Sequence, residues 1–323
     1  KKKKAQKVVN YRIRDWGIRR QRYWGTPIQI FLCDSCGAVP VPEKDLPVEL
    51  PKDVTFGKGN PLETASSWLQ VPCPSCGKEG QRETDTMDTF VNSSWYFLRY
   101  ADAQNDKKIF DTKKANYWCP VDQYIGGSEH ACMHLIYFRY YTKFLADLGI
   151  INFREPAVKL FHQGMLHGEG GIRMSKSKGN VVNPETVSEK YGIDTARYFL
   201  LSLAEPDKNR DWSEAGIQGS LRFIKKACNA YSNIKVGKST PEITSRIHSA
   251  IQSVTEDITS FRYRMATITL KELFEAICKE TEMSKEDLSI ALQLLSPICP
   301  HVAEELWEGL GNKGFISLSA WPK

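Results

Sequence analysis

Asp122-Gln123-Tyr124-Ile125-Gly126-Gly127-Ser128-Glu129-His130, continued to residue 148 without a further Gly or Pro until Gly149, is the stretch that decides the fold class. Residues 122–125 read as a strand, two glycines break it, and 129–148 carry apolar positions at helical spacing. Strand, glycine turn and helix is a nucleotide-binding arrangement, because a turn without Cβ atoms lets backbone N–H groups approach a ligand closely. Downstream, 157–161 reads as another short apolar strand leading into Gln163-Gly164-Met165-Leu166. A Gly-rich loop over 168–171 then delivers the chain to Arg173.

That loop opens Gly170-Gly171-Ile172-Arg173-Met174-Ser175-Lys176-Ser177-Lys178-Gly179-Asn180, a segment with three cations and two hydroxyls around a flexible entry. The composition suits a mobile grip on a triphosphate: cations that approach most closely as charge builds on leaving pyrophosphate lower the barrier. As a bare string it also fits a surface loop or a phosphorylation site. From residue 216 the character changes to long amphipathic helices, expected near 216–236, 242–260, 265–280, 285–296 and 300–310, a helical bundle. Pro300 at a first helical turn, with Val302, Leu306 and Leu310 at helical spacing, predicts a core-facing last helix. Arg222, Lys225, Lys226, Arg262 and Arg264 are the exposed cations best suited to phosphate contacts.

Upstream, residues 8–31 are dense in Arg and aromatics and end in a short strand near 28–32. Cys33-Asp34-Ser35-Cys36 and Cys73-Pro74-Ser75-Cys76, each followed by glycine, form two knuckles that can close a tetrahedral Cys₄ site for structural Zn²⁺. Closed thiolate coordination leaves no position for a substrate. It would staple the Pro-rich segment 37–62, where five prolines argue against regular structure of any length. The other cysteines, Cys119, Cys132, Cys228, Cys278 and Cys299, read as core residues. A helical segment is expected from Asp88 through Tyr100, placing Phe90, Ser93 and Tyr96 on one face that could line an apolar side chain or simply pack in a core. His130 and His134, four apart, could hold zinc, but no third ligand is evident.

The 323 residues are 41% hydrophobic and 11% aromatic, enough for a full core in two domains and a small module. Forty-four basic against 38 acidic side chains give +6, compatible with a polyanionic partner without requiring one. No apolar run is long enough to cross a bilayer and no signal peptide is visible, so no membrane partner is expected. An odd count of nine cysteines, four in CxxC pairs, points to a reducing, cytoplasmic compartment rather than a secreted disulfide framework.

Arg173-Met174-Ser175-Lys176-Ser177-Lys178-Gly179-Asn180, with Tyr191-Gly192-Ile193-Asp194-Thr195-Ala196-Arg197 behind it, resembles the KMSKS signature and following helix of class I aminoacyl-tRNA synthetases, with Arg173 for the usual first lysine. Arg14-Asp15-Trp16-Gly17-Ile18 and Arg20-Gln21-Arg22-Tyr23-Trp24-Gly25 are similar to a block shared by leucine, isoleucine and valine enzymes. Thr84 to Tyr96 and Gln123 to Ala131 look like leucyl-tRNA synthetases in particular, although Asn92 stands where an aspartate is usual. Pro297-Ile298-Cys299-Pro300-His301 to Trp307 is similar to a stretch of this subgroup's anticodon-binding domains, where His301 and Trp307 read as structural.

The resemblance implies a partial Rossmann-type α/β catalytic domain with a zinc-binding insertion, then an all-α anticodon-binding bundle. The corresponding divisions are 1–32, 33–84, 85–215 and 216–323. It implies attachment of leucine to tRNA(Leu) through leucyl-adenylate, with ATP and Mg²⁺. Lys176, Arg173 and Ser175 would be catalytic. Lys176, Met174, Gly126, Gly127, Glu129, His130 and Gln163 would bind ATP or the adenylate, and Phe90, Ser93, Tyr96 and His130 the leucine. The HIGH-type motif and an editing domain are not found in the sequence. The expectation is therefore a carboxyl-terminal half, inactive alone, whose partner half belongs to the same full chain or to a separate subunit. Isoleucyl or valyl specificity and a non-catalytic tRNA-binding derivative are the competing readings.

Overall fold

The computed structural model describes residues 7–10, 12 and 16–323. The opening lysines and the Arg14-Asp15 start of the Arg-rich block lie outside the described residues. The chain divides into two compact units, residues 1–124 with 129–160, and 125–128 with 161–323. No described helix is long and apolar enough to cross a membrane.

In the first unit, a four-stranded antiparallel sheet runs in the order Gly37–Pro40, Ile30–Cys33, Glu79–Arg82, Gln70–Pro72. Cys33 pairs with Gly37 across a tight turn, and Gly37 and Gly77 take φ of +73° and +72°, which Cβ-bearing residues rarely adopt. The Pro-rich segment is thus less irregular than its composition suggested: Gly37–Pro40 is a strand, and 3-10 turns form at Glu43–Asp45 and Pro61–Thr64. Each of these is three or four residues, and the prolines fall only at or beyond their ends. The strand expected at 28–32 lies at Ile30–Cys33, with Phe31 and Cys33 buried and Leu32 exposed.

The helix expected from Asp88 to Tyr100 is two helices, Thr89–Ser93 and Tyr96–Tyr100. Trp95, at φ −127° and ψ 5°, leaves the helical region between them. The helix expected over 129–148 likewise breaks at Met133, φ −129° and ψ −106°, into a 3-10 turn Ser128–Cys132 and an α-helix His134–Asp147. Leu135, Phe138, Thr142 and Leu145 of that helix are buried, the expected stripe, packing with Phe97, Leu98, Phe110 and Ile151. The strand expected at 157–161 extends over Ala157–Gln163 and pairs with Val121–Gly127.

The second unit holds the basic loop and the bundle. Helices occupy Glu214–Asn233, Pro241–Thr259, Tyr263–Ile277, Lys285–Leu295 and Pro300–Gly309, within three residues of the expected bounds. Ser213, Thr240 and Ser284 cap three of them, each accepting a backbone N–H one turn in. Phe223, Ile224, Ala227 and Tyr231 trace the buried stripe of the first, in one cluster with Leu270, Phe274 and Leu288, while Ile217 packs with Val187, Tyr191, Ala196 and Phe199. In the last helix Ala303 and Trp307 are buried, whereas Val302, Leu306 and Leu310 are only partly so, a rotation of the core face by one position.

Cys119 and Cys299 are buried as expected of core residues, but Cys132 is exposed and Cys228 and Cys278 are half-buried. Cys132 sits on the 3-10 turn that replaced the expected helical face. The Tyr191-to-Arg197 motif has a packing role. Buried Asp194 accepts from the Val302 N–H at 2.7 Å and meets His301 Nδ1 at 2.8 Å, a carboxylate on a helix N-terminus. Arg197 donates to the Ile298 and Pro297 carbonyls at 3.0 and 2.8 Å.

Candidate active site and metal centre

In the first unit, Phe90, Ser93 and Tyr96 converge although their helix is broken, because all three meet His134. The Phe90 and Tyr96 rings lie 6.5 and 6.4 Å from its imidazole, and Ser93 Oγ lies 3.1 Å from Nδ1. On the other side Tyr124 Oη lies 2.7 Å from Nε2, and the Tyr96 hydroxyl donates to Tyr124 at 3.0 Å. Donor directions follow. Tyr124, having accepted from Tyr96, donates to Nε2; Nδ1–H then donates to Ser93 Oγ, whose own proton goes to the Phe90 carbonyl at 3.2 Å. With Nε2 accepting, His134 carries no charge in this arrangement. Burial first, then His130, lowers the His134 pKa, and burial raises that of Tyr124.

His130, on the 3-10 turn, packs edge-on against Phe90 at 6.5 Å, and its Nδ1 is buried without a partner. His134 spends both ring nitrogens on hydroxyls, so the two histidines are not a metal pair. The sequence singled out Phe90, Ser93, Tyr96 and His130 but missed Tyr124 and considered His134 only as a ligand. The i, i+4 relation of His130 and His134 was its only visible sign. Asn92 is exposed and accepts from the Thr26 hydroxyl at 2.8 Å.

In the second unit, Gly126 and Gly127 end the Val121–Gly127 strand, and Gln163 is exposed at the end of Ala157–Gln163. Glu129, counted with the first unit, is exposed on its 3-10 turn. The Gly-rich entry forms a 3-10 turn at Glu169–Gly171, with Gly170 and Gly171 at φ of +78° and +77°. Leu166–His167 pairs in parallel with Arg210–Asp211, and an antiparallel bridge between His167 and Arg173 closes the base of the loop.

Lys176–Lys178 forms a single 3-10 turn, with Arg173, Lys176 and Lys178 exposed and Met174 and Ser175 half-buried. A residue the sequence reading passed over holds this shape. Asn180 Oδ1 accepts the Ser175 N–H at 2.9 Å, and its Nδ2 donates to the Arg173 carbonyl at 3.3 Å and Ile172 carbonyl at 3.5 Å. A Cβ on Gly168 would stand 3.1 Å from that Nδ2, so the glycine leaves room for the clasp. The Ser175 and Ser177 hydroxyls meet at 3.2 Å.

The sulfur atoms of Cys33, Cys36, Cys73 and Cys76 all lie within 4.8 Å of one another. Cys33 and Cys76 sulfurs are 3.7 Å apart, against about 3.8 Å for the edge of a tetrahedron with Zn–S bonds of about 2.3 Å. The backbone N–H groups of Cys76 and Ser75 lower the Cys73 thiol to about 7, whereas contact with Cys76 pushes Cys36 up to about 12. One thiolate thus hinders the next, a conflict that a bound dication relieves. The residues fit a closed structural zinc site.

Comparison with known proteins places this geometry. The model of tRNA synthetases class I (I, L, M and V) matches residues 1–213, and that of the anticodon-binding domain of tRNA ligase matches 241–323. A leucine–tRNA ligase of Thermotoga petrophila is 46% identical over 98% of this chain and 42% of its own length. One of Geotalea daltonii is 47% identical over 98% and 41%. Among solved structures, a LeuRS of Agrobacterium radiobacter K84 in ternary complex with tRNA and LeuAMS gives a TM-score of 0.87 at 36% identity, over 97% of this chain and 43% of that one. Methionyl-tRNA synthetase of Mycobacterium tuberculosis, at 18% identity and a TM-score of 0.55 over 76% of this chain and 54% of that one, shares the fold. The chain therefore spans less than half the length of the curated relatives it matches, and it belongs to the class I tRNA synthetases, the group of the I, L, M and V enzymes.

Proposed function

We propose that this chain serves the ATP-dependent attachment of leucine to tRNA(Leu) through leucyl-adenylate, in the cytoplasm, together with the remaining portion of a class I synthetase. The observation that carries the leucine reading is the neutral cup of Phe90, Ser93, Tyr96 and His134. An apolar side chain can enter it without stranding a buried charge, and Ser93, Tyr96, Tyr124 and His134 already satisfy one another. His130 closes the cup beside Phe90.

In this reading Gly126, Gly127, Glu129, Met174 and Gln163 attend the adenosine and adenylate, with Mg²⁺ on the phosphates. Lys176, helped by Arg173 and by Ser175, meets the charge that develops on the departing pyrophosphate. The exposed position of both cations supports an approach made only as the loop closes. Zinc held by Cys33, Cys36, Cys73 and Cys76 would fasten the 33–84 insertion and take no part in the chemistry. The division at about residue 215 into catalytic portion and tRNA-binding bundle follows the change to long helices.

The test is amino-acid-dependent ATP–pyrophosphate exchange by an active synthetase carrying this chain. Leucine should support exchange, with isoleucine and valine far behind, and Lys176→Ala should slow adenylate formation by about 10²-fold without changing the melting temperature. Exchange driven by isoleucine or valine, or an unaffected Lys176→Ala, overturns the corresponding part of the reading.

A further inference from the structure

Behind the cup, Phe90 is held twice, once by its backbone and once by its ring. Its N–H donates to Asp88 Oδ1 at 2.8 Å, the cap of the Thr89–Ser93 helix, and its ring lies 5.9 Å from that of Tyr137 on the His134–Asp147 helix. Both holds lead to one guanidinium. Arg20 pairs with Asp88 Oδ2, and the same nitrogen, Nη2, donates to the Tyr137 hydroxyl at 3.5 Å. Its Nη1 donates to the Gly17 and Arg19 carbonyls at 2.7 and 2.8 Å. The Tyr137 hydroxyl in turn donates to the Gly17 carbonyl at 3.3 Å.

We propose that Arg20, Asp88 and Tyr137 are positioning residues that fix the Phe90 ring and thereby set the selection of leucine over isoleucine, an inference that rests on the leucine reading of the cup. Asn183, Ser213, Thr240 and Ser284 cap four other helices of this chain without a charge. Asp88, 6% exposed, is a charged cap, and burying a carboxylate is costly unless it is paired. The ion pair is therefore more than the cap requires. Its partner is a fork whose two ends do different work: Nη2 faces Asp88 and Tyr137, and Nη1 faces the backbone of residues 17–19, a division that a point charge cannot reproduce. Burial, then Asp88, raises the Tyr137 pKa, so its hydroxyl keeps the proton that it donates to Gly17.

The consequence for selection is steric. Leucine and isoleucine differ only in where a methyl group branches, and discrimination at the scale of one such group in an apolar pocket is about 10- to 200-fold. A Phe90 ring free to shift gives the isoleucine branch room. Arg20, Asp88 and Tyr137 thus act through Phe90.

The experiment measures amino-acid-dependent ATP–pyrophosphate exchange by the active synthetase in the parent, Asp88→Asn, Arg20→Lys and Tyr137→Phe. Asparagine keeps the acceptor for the Phe90 N–H, lysine keeps the charge, and phenylalanine keeps the ring. Expected for the first two are a rise of about 5- to 20-fold in the KM for leucine and a fall of about tenfold in the leucine-to-isoleucine ratio of kcat/KM, and for Tyr137→Phe about 3- to 5-fold in each. The KM for ATP and kcat at saturating leucine should stay within about twofold to threefold of the parent. Asp102→Asn is the control, because Asp102 is an equally buried carboxylate of the same unit, paired with Lys114. It should lower the melting temperature and leave both leucine quantities alone. Unchanged leucine KM and selectivity in all three variants, an equal shift in Asp102→Asn, or losses spread evenly over ATP and leucine would overturn the proposal. If the parent activates isoleucine or valine instead, the leucine reading falls, and the positioning role is judged on the KM of the amino acid it does activate.

Discussion

Asn180→Ala should slow adenylate formation while the protein stays folded. Asn180 joins the two ends of the signature loop through one strong bond to the Ser175 N–H at 2.9 Å and two longer ones, to the Arg173 and Ile172 carbonyls at 3.3 and 3.5 Å. At about 1 kcal/mol net for a good hydrogen bond and less for the long ones, the clasp contributes about 1 to 2 kcal/mol to holding Ser175 and Lys176 in register. If that register is used in the transition state, the rate falls by roughly 5- to 30-fold. Because Lys176 itself is untouched, the loss should fall on kcat for exchange more than on KM for ATP. Gly168→Ala, whose Cβ would press on Asn180 Nδ2 from 3.1 Å, should move kcat in the same direction. Pre-steady-state measurement of adenylate formation in the active synthetase checks both. A kcat within twofold of the parent for Asn180→Ala would refute the reasoning, as would an effect confined to KM.

His134→Ala should raise the KM for leucine by about 10-fold or more and reduce discrimination against isoleucine, because Ser93 loses the donor and Tyr124 the acceptor that hold them in place; exchange kinetics with both amino acids decide it. The purified chain should carry a single equivalent of zinc, and chelation or Cys73→Ser should increase hydrogen exchange across 30–82 before the bundle responds; a metal-free protein with unchanged exchange there would contradict the site. Lys114, then Asn105, hold the Asp102 carboxyl at about 2, below its unperturbed 3.8, so its stabilisation is present above about pH 4 and is lost as pH falls through 2. Asp102→Asn should therefore flatten the fall of melting temperature across that window, and an unchanged acid limb would rule out the pair as a contributor.

The elements that could be read from sequence were those fixed by local chemistry. The bundle helices announced themselves through long apolar stripes, and the two CxxC turns through their glycines. What could not be read depended on partners far away in the chain. Periodicity alone ran the helix through Trp95 and Met133, because neither position holds a Gly or Pro to mark the break. In the sequence His134 reads only as one of two histidines lacking a third zinc ligand, since its partners Ser93 and Tyr124 stand 41 and 10 residues away and belong to other elements.

These two failures have one origin. A continuous helix over 88–100 would fix Phe90, Ser93 and Tyr96 at 100° steps around a single axis. Ending the first helix at Ser93 and restarting it at Tyr96 frees the second from that constraint, and the Tyr96 hydroxyl then reaches Tyr124 while Ser93 keeps His134. The second break, at Met133, begins the long helix on His134 itself, where its ring nitrogens remain available to side chains from both neighbours. The irregularities therefore sit where the hydrogen-bond chain needs them, and repairing either should weaken it. Inserting a helix-favouring alanine at Trp95 or Met133 would test local propensity; what matters to the cup is whether His134 retains both hydroxyl partners, which the leucine KM reports directly.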